Sequence, residues 1–243
     1  MEISEASLRR MVRQVDDLHR EGMKTVRDEI AAVHTGAAAR VGSRRRFLRH
    51  AGTGLALAIG GTVVAAGSLA TAASAATAPP LTDQDIAKFS ESVELAVVAA
   101  YALALTKLHT PAYVAMATTF SGHHMDHAKA FAAFAGDAAT ATANPGVLVA
   151  VSDELHEAPD EMHVLSAAYD TENAAAATYL YAIGLLNGVE ILGTTASILP
   201  VEAQHATALG YALGKDPDTD AEYLPPFQTT DDELTPATYP VAG

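Results

Sequence analysis

Cysteine and tryptophan are absent from this chain of 243 residues, and other aromatic residues are few. Without cysteine the fold has no disulfide bond and no thiolate metal site. Any metal must therefore bind nitrogen and oxygen ligands, which suit Fe, Mn or Zn. Apolar residues make up 49% of the chain, and much of that share is alanine. Such a composition, with few alternating strand-like runs, predicts an all-α protein.

Positive charge is scarce outside the first 50 residues. Residues 51–243 hold 4 Lys or Arg against 22 Asp or Glu, whereas residues 1–50 carry a net charge of +4. Nucleic acid is therefore not an expected partner, because so acidic a region repels phosphate. The same charge would raise the local concentration of cations, although solubility outside the cell explains it equally well.

Polar residues recur in two copies, offset by 78 positions, within otherwise apolar sequence. In both copies a Glu lies 7 residues before a Tyr and 30 before a second motif, which ends with a His 3 residues later. Because these short spacings match one or two helical turns, each set lies on one face of a helix. The copies are Glu94, Tyr101, His124 and His127, and Glu172, Tyr179, Glu202 and His205.

Four helices are predicted to carry these residues, over residues 82–108, 111–135, 159–187 and 190–213. Their connections are short, long and short, and residues 136–158 form the long one. Short loops join antiparallel neighbours and a long connection must cross the bundle, so the pattern predicts a four-helix bundle with one crossover. Pro200 should kink or restart the last helix, and Gly214 is placed to cap its end.

The three glutamates of the two copies indicate a metal site. Each lies in or beside a run otherwise free of charge, and only four Lys and no Arg follow residue 50. A buried carboxylate without a partner is costly, so it is normally paired, protonated or bound to a metal. With so few cationic side chains available, a metal ion is the natural counter-charge.

The segment V-E-A-Q-H-A at residues 201–206 resembles the Glu-x-x-His motif in the fourth helix of the ferritin-like superfamily, in particular of its exported bacterial members. The resemblance spans roughly residues 82–214. It implies a di-iron or di-manganese centre in which each metal has its own Glu and His and glutamates bridge the two. The implied ligands are Glu94 with His127, Glu172 with His205, and Glu202 as a bridge, with Tyr101 and Tyr179 beside them.

The chain departs from that family in the second helix, where His124 replaces the second bridging Glu. An imidazole can bind one metal but is not expected to bridge two as a carboxylate does. The result is either a modified di-metal site with His124 among its ligands, or a mononuclear site built from the third and fourth helices. His123 lies one residue out of phase and is left out of the ligand set.

The N-terminal part predicts a charged helix over residues 4–33, which is either a partner-binding helix or a weakly structured extension. Its apolar residues recur mostly every three or four positions. They are Leu8, Met11, Val15, Leu18, Val26, Ile30 and Val33.

The segment S-R-R-R-F-L-R at residues 43–49, followed by an uncharged stretch over residues 51–81, resembles a twin-arginine export signal. Ala73, Ser74 and Ala75 supply the small residues that signal peptidase accepts. The resemblance implies a twin-arginine translocase as partner and an extracytoplasmic bundle, either released or membrane-anchored. The predicted domains are a cytoplasmic helical extension (1–42), the signal or anchor (43–78), the bundle (79–214) and an acidic tail rich in Pro and Thr (215–243).

Two functions of different classes remain open. The first is an exported metalloprotein whose paired Fe or Mn ions react with oxygen or peroxide, with Tyr101 or Tyr179 orienting a ligand or donating an electron. The second is a non-enzymatic envelope protein that sequesters metal or serves stress tolerance, which the loss of a carboxylate at His124 favours. A third idea makes the N-terminal helix a cytoplasmic contact. The sequence is also compatible with a homodimer.

Overall fold

The computed structural model describes residues 4–34, 80–215 and 232–241. Within these ranges the chain forms six α-helices, a 3₁₀ turn over Gly136–Ala138 and no strand, which confirms the predicted all-α class. The helices are α1 (Glu5–His34), α2 (Asp83–Leu105), α3 (Pro111–Ala135), α4 (Pro145–Glu157), α5 (Glu161–Ile183) and α6 (Val189–Ala212).

Two helical hairpins form the bundle. α2 packs on α3 and α5 packs on α6, and each pair is joined by a short loop, residues 106–110 or 184–188. The longer connection from α3 to α5 contains α4, which lies against α2 and α5. This arrangement has the predicted order of short, long and short connections, which brings one face of each of the four long helices to a common interior.

The ends of the helices follow local capping rules. The hydroxyl of Thr82 accepts a hydrogen bond from the backbone N–H of Asp85, whose carboxylate accepts one from the N–H of Thr82, so α2 begins with a capping box. α6 ends before Gly214, whose φ of 75° lies in the left-handed region that favours glycine. The expected restart of the last helix at Pro200 is wrong, since α6 runs as one helix from Val189 to Ala212 with Pro200 inside it; the expected kink there stays a prediction.

The predicted N-terminal helix is confirmed as α1, and it packs on α3 and α6 as a fifth long helix. Its buried stripe is rotated by about one residue from the predicted one, because Leu18 is 58% exposed and its neighbour His19 only 3%. The buried positions of α1 are Leu8, Val12, Val15, His19, Met23 and Val26. The helix is thus a packed part of the molecule along most of its length.

Part of the predicted tail also lies on the bundle. Asn144 caps α4 through hydrogen bonds from the N–H groups of Gly146 and Val147, and its amide donates to the carbonyl of Tyr239. The N–H of Leu234 donates to the hydroxyl of Thr178. Residues 232–241 therefore form a strap across α2, α4 and α5.

Within residues 4–34, 80–215 and 232–241, no helix is both long enough and apolar enough to cross a bilayer. The predicted signal or anchor at residues 43–78 lies outside the described residues, so it stays a prediction.

Candidate metal centre

The interior of the bundle brings together all six residues predicted as metal ligands. α2 contributes one, α3 two, α5 one and α6 two, and none is more than 1% exposed. Alanine-rich faces let the helices pack closely around them, with Phe120, Phe131 and Ile198 fully buried nearby. The six are Glu94, His124, His127, Glu172, Glu202 and His205.

The six residues form two overlapping groups of four. In each group every residue offers one nitrogen or oxygen atom, and these four atoms lie within 4.8 Å of one another. One group consists of Glu94, His124, His127 and Glu202, and the other of His124, Glu172, Glu202 and His205. His124 and Glu202 belong to both groups, so they occupy equivalent central positions in the two copies of the repeat. The cluster thus contains two adjacent groups of possible ligands that share two residues.

His124 lies between the two outer carboxylates. Its Nδ1 is 2.6 Å from Glu94 Oε2, and its Nε2 is 3.0 Å from Glu172 Oε1. The ring therefore presents one nitrogen to each group. Its position corresponds to that of the bridging glutamate it was predicted to replace.

Glu202 differs from the other two glutamates of the cluster in its hydrogen bonding. Both of its oxygens are fully buried and accept no hydrogen bond from the residues the structure describes. His127 Nδ1 forms an ion pair with Glu202 Oε1 at 2.8 Å, although the two groups are not aligned as a hydrogen bond, and neither ring nitrogen of His127 has a hydrogen-bond partner in those ranges. Donor atoms that lie close together without bonding one another fit a common ion between them.

Glu91 provides the contrast. It is also buried, but its two oxygens accept hydrogen bonds from the backbone N–H groups of Thr140 and Ala141 at 2.8 and 2.9 Å. A structural glutamate in this bundle thus has its own donors. The groups around Glu202 do not follow that pattern, and they suit a metal better than a purely structural role.

The two tyrosines of the repeat connect its copies crosswise. Tyr101 donates a hydrogen bond to Glu172, and Tyr179 donates one to Glu94. Burial, followed by the adjacent carboxylates, raises the pKa of both phenols well above the usual value, so both remain protonated donors. Each hydroxyl therefore fixes the orientation of one outer glutamate and stabilises its charge.

Charge in the cluster is shared between carboxylates and imidazoles. Burial opposes the charge of His127, but Glu202 and Glu94 outweigh it and raise its pKa to about 9. Burial is likewise outweighed by carboxylates at His124 and His205, whose pKa values are also raised. The sequence predicts a metal as the only counter-charge, whereas the structure adds three imidazoles whose raised pKa values let them balance the carboxylates.

Three polar residues lie beside the cluster: His123, which the sequence-based prediction considers but leaves out of the ligand set, and Asp16 and His19, which it does not single out. His123 is 4% exposed and its Nδ1 lies 2.9 Å from His205 Nε2, so it contacts a predicted ligand. Asp16 and His19 approach it from α1. Burial, together with nearby histidines, lowers the pKa of His19 to about 3, so this ring is neutral. The sequence signal that could have pointed to this contact is His19 itself, a single histidine within the apolar stripe of α1.

Comparison with known proteins agrees with the fold and the residue pattern. A family model described as a ferritin-like domain matches residues 82–215, more than half of the chain. No curated protein and no solved structure matches the chain significantly. The matched range contains both hairpins and all six buried residues, and the chain belongs to the ferritin-like domain family.

Proposed function

We propose that the bundle binds two transition-metal ions, iron or manganese, at the buried cluster. The main support is Glu202, whose buried oxygens accept no hydrogen bond within the described residues while His127 and His205 lie about it at 2.8 and 3.1 Å. Three carboxylates and three imidazoles form a donor set that suits either metal. The alternative is a site for a single metal ion, bound by Glu172, Glu202 and His205.

The protein would hold the ions and control access to them. Glu94 with His127 would bind one ion, Glu172 with His205 the other, and Glu202 would contact both. Tyr101 and Tyr179 would hold the outer carboxylates through their hydroxyl groups. Because all six donors are buried, bulk water would be kept from the centre. When bound, paired iron or manganese ions supply one-electron redox chemistry toward oxygen or peroxide.

Loading with Fe(II) tests this function. Purified protein is loaded without oxygen, separated from free iron by gel filtration, and assayed for iron per chain before exposure to air. We expect retained iron, together with a change in its oxidation state in air. His205→Ala should lose retention, whereas His156→Ala, at an exposed histidine, should not. Wild-type protein that retains no metal would contradict the proposal.

A second candidate is metal sequestration without turnover, which the imidazole at His124 supports. The site has three carboxylates, one fewer than the resemblance to the family implies, so it offers less negative charge to stabilise oxidised ions. His124→Glu separates the two candidates. A gain in the rate of oxygen consumption from near zero favours sequestration in the natural protein, whereas substantial turnover in the unaltered protein favours the oxidase.

We also propose that residues 43–78 direct export by the twin-arginine route, with the bundle outside the cytoplasm. The paired arginines and the uncharged stretch after them support this. Replacing Arg44 and Arg45 with Lys should leave the protein in the cytoplasmic fraction, whereas Arg40→Lys should not. Finding the uncleaved chain in membranes would favour an anchor over a released protein, and equal export of all variants would exclude the signal.

A further inference from the structure

Helix α1 lies outside the range that matches the ferritin-like family, yet it reaches the cluster. His19 is the one polar residue in its buried stripe. The ring of His19 stacks on that of His123 with a centroid separation of 3.8 Å and an angle of 20°. Its Nε2 is buried and has no hydrogen-bond partner within the described ranges, and its ring contacts are with His123 and His127.

A continuous series of contacts leads from α1 to the predicted ligands. Asp16 Oδ1 is 3.2 Å from His123 Nε2, and His123 Nδ1 is 2.9 Å from His205 Nε2. On its other side, His205 Nδ1 lies 3.2 Å from Glu172 Oε2 and 3.1 Å from Glu202 Oε2. The other oxygen of Asp16 is held at 2.6 Å by Arg20.

The hydrogen-bonding roles in this series follow from Asp16, because an ionised carboxylate can only accept. His123 must therefore donate from Nε2, which leaves its Nδ1 as an acceptor. That acceptor suits a donating N–H on Nε2 of His205. The remaining nitrogen of His205, Nδ1, donates to Glu172 Oε2 at 3.2 Å, and it is the nitrogen that a metal would bind after displacing this proton.

Ring stacking also restrains the orientation of His123 and His205. His123 and His205 are within 18° of parallel, and Phe120 stacks on His205 at 4.0 Å with an angle of 25°. His19 in turn stacks on His123. The rings can therefore rotate little, and the nitrogen that His205 offers to a metal is set by its neighbours.

We propose that Asp16 and His19 of α1 are positioning residues for the metal ligand His205, acting through His123. The inference rests on the proposed metal-binding function. It means that α1 contributes residues that orient a metal ligand. Asp16 selects the tautomer of His123 and hence that of His205, and His19 fixes the plane of the His123 ring. A group bonded directly to a metal-binding histidine typically contributes roughly 10–100-fold to metal affinity. Here that group is His123, and Asp16 acts one contact further out.

Co(II) binding to the full chain tests the proposal, since its visible spectrum reports ligand geometry. Asp16→Ala is expected to weaken Co(II) binding by up to roughly 10-fold, the lower end of the range for a direct partner, and to change the spectrum at saturation. Asp16→Asn, which keeps an acceptor oxygen, should lose less. Asp17→Asn is the matched control, because it removes the same charge from an exposed neighbour on the same helix. It should leave both readouts unchanged.

The role of His19 is tested in the same assay. His19→Phe keeps a ring against His123 and should retain the wild-type spectrum, whereas His19→Ala should broaden or shift it. Melting of the apo-protein separates the alternatives, because a merely structural role lowers the melting temperature and leaves the spectrum of the saturated protein unchanged.

Three outcomes would overturn the inference. Wild-type affinity and spectrum in Asp16→Ala would do so while leaving the proposed function intact. An equal loss in Asp17→Asn would reduce the effect to general charge. Wild-type protein that binds no Co(II) and no Fe(II) would remove the proposed function, and this inference with it.

Discussion

Glu202→Gln is expected to abolish the stabilisation that a metal gives, with little change in shape. The two side chains are nearly isosteric, and both oxygens of Glu202 lack a hydrogen bond within the described residues, so the substitution breaks none there. It does remove the charge that faces His127 and His205. The loss should therefore appear in the difference between the apo and metal-loaded proteins.

The size of the effect follows from binding linkage. An ion at 100 times its Kd adds about 2.7 kcal/mol to the free energy of unfolding. For a chain of this size that corresponds to a rise in melting temperature of roughly 5–10 °C. If the substitution weakens binding by roughly 100-fold, the upper range for loss of a supporting partner, the gain at the same ion concentration falls to about 0.4 kcal/mol. The rise in melting temperature is then about 1 °C.

Calorimetry with EDTA and with excess Mn(II), together with elemental analysis, measures this difference. Glu91→Gln is the matched control, because Glu91 is buried but bonded to the N–H groups of Thr140 and Ala141. It should lower both melting temperatures, through a loss of about 1–3 kcal/mol, and leave their difference unchanged. A full metal-induced rise in Glu202→Gln, or its loss in Glu91→Gln, would refute the assignment.

Three further predictions concern the centre and its surroundings. His124→Glu should raise the amount of metal retained after dialysis, measured by elemental analysis, and lower the melting temperature in EDTA, because a fourth carboxylate would face Glu94 and Glu172; retention no better than wild type would count against it. Burial opposes the charge of His127, but Glu202 and Glu94 raise its pKa to about 9 from 6.5, so its stabilising effect on the apo-protein is complete below pH 6.5 and is lost as pH rises through 9. The melting temperature in EDTA should fall over that window, and a flat profile would contradict the role of this charge. Asn144→Ala removes the cap of α4 and the bond to Tyr239, and it should lower stability by about 1–2 kcal/mol in denaturant titrations and speed proteolysis of residues 232–241. Unchanged cleavage would show that the other contacts of the strap, including the hydrogen bond from Leu234 to Thr178, are enough to hold it.

The helices of the bundle and the convergence of its polar residues could be predicted from spacing alone. A period of three, four or seven residues defines one helix face, and a bundle has one interior to which these faces turn. Helix α4 was harder to recognise, because the N-P-G sequence at residues 144–146 is typical of a turn. Asn144 at the cap and Pro145 in the first turn are, however, also a strong start signal for a helix.

The contribution of α1 could not be predicted in the same way. Leu18 and His19 are adjacent, and either one continues a stripe of three- and four-residue steps, so only the docked partner shows which is buried. Asp16 and His123 are 107 positions apart and meet only in the tertiary structure. Pro200 illustrates the same limit, since packing of α6 against α5 and α1 offsets the roughly 3 kcal/mol that an interior proline costs a helix.

The docking of α1 on the bundle has a topological consequence for the proposed export. If residues 43–78 cross a bilayer once, α1 and the bundle are on opposite sides, and Asp16 can no longer reach His123. Cleavage near Ala75 would sever the same connection. The newly made chain and the exported one would then differ at His205. In the cytoplasm, where metal is loaded, α1 would help to orient this side chain, whereas after export His205 would lack the contacts from α1 and be held less rigidly.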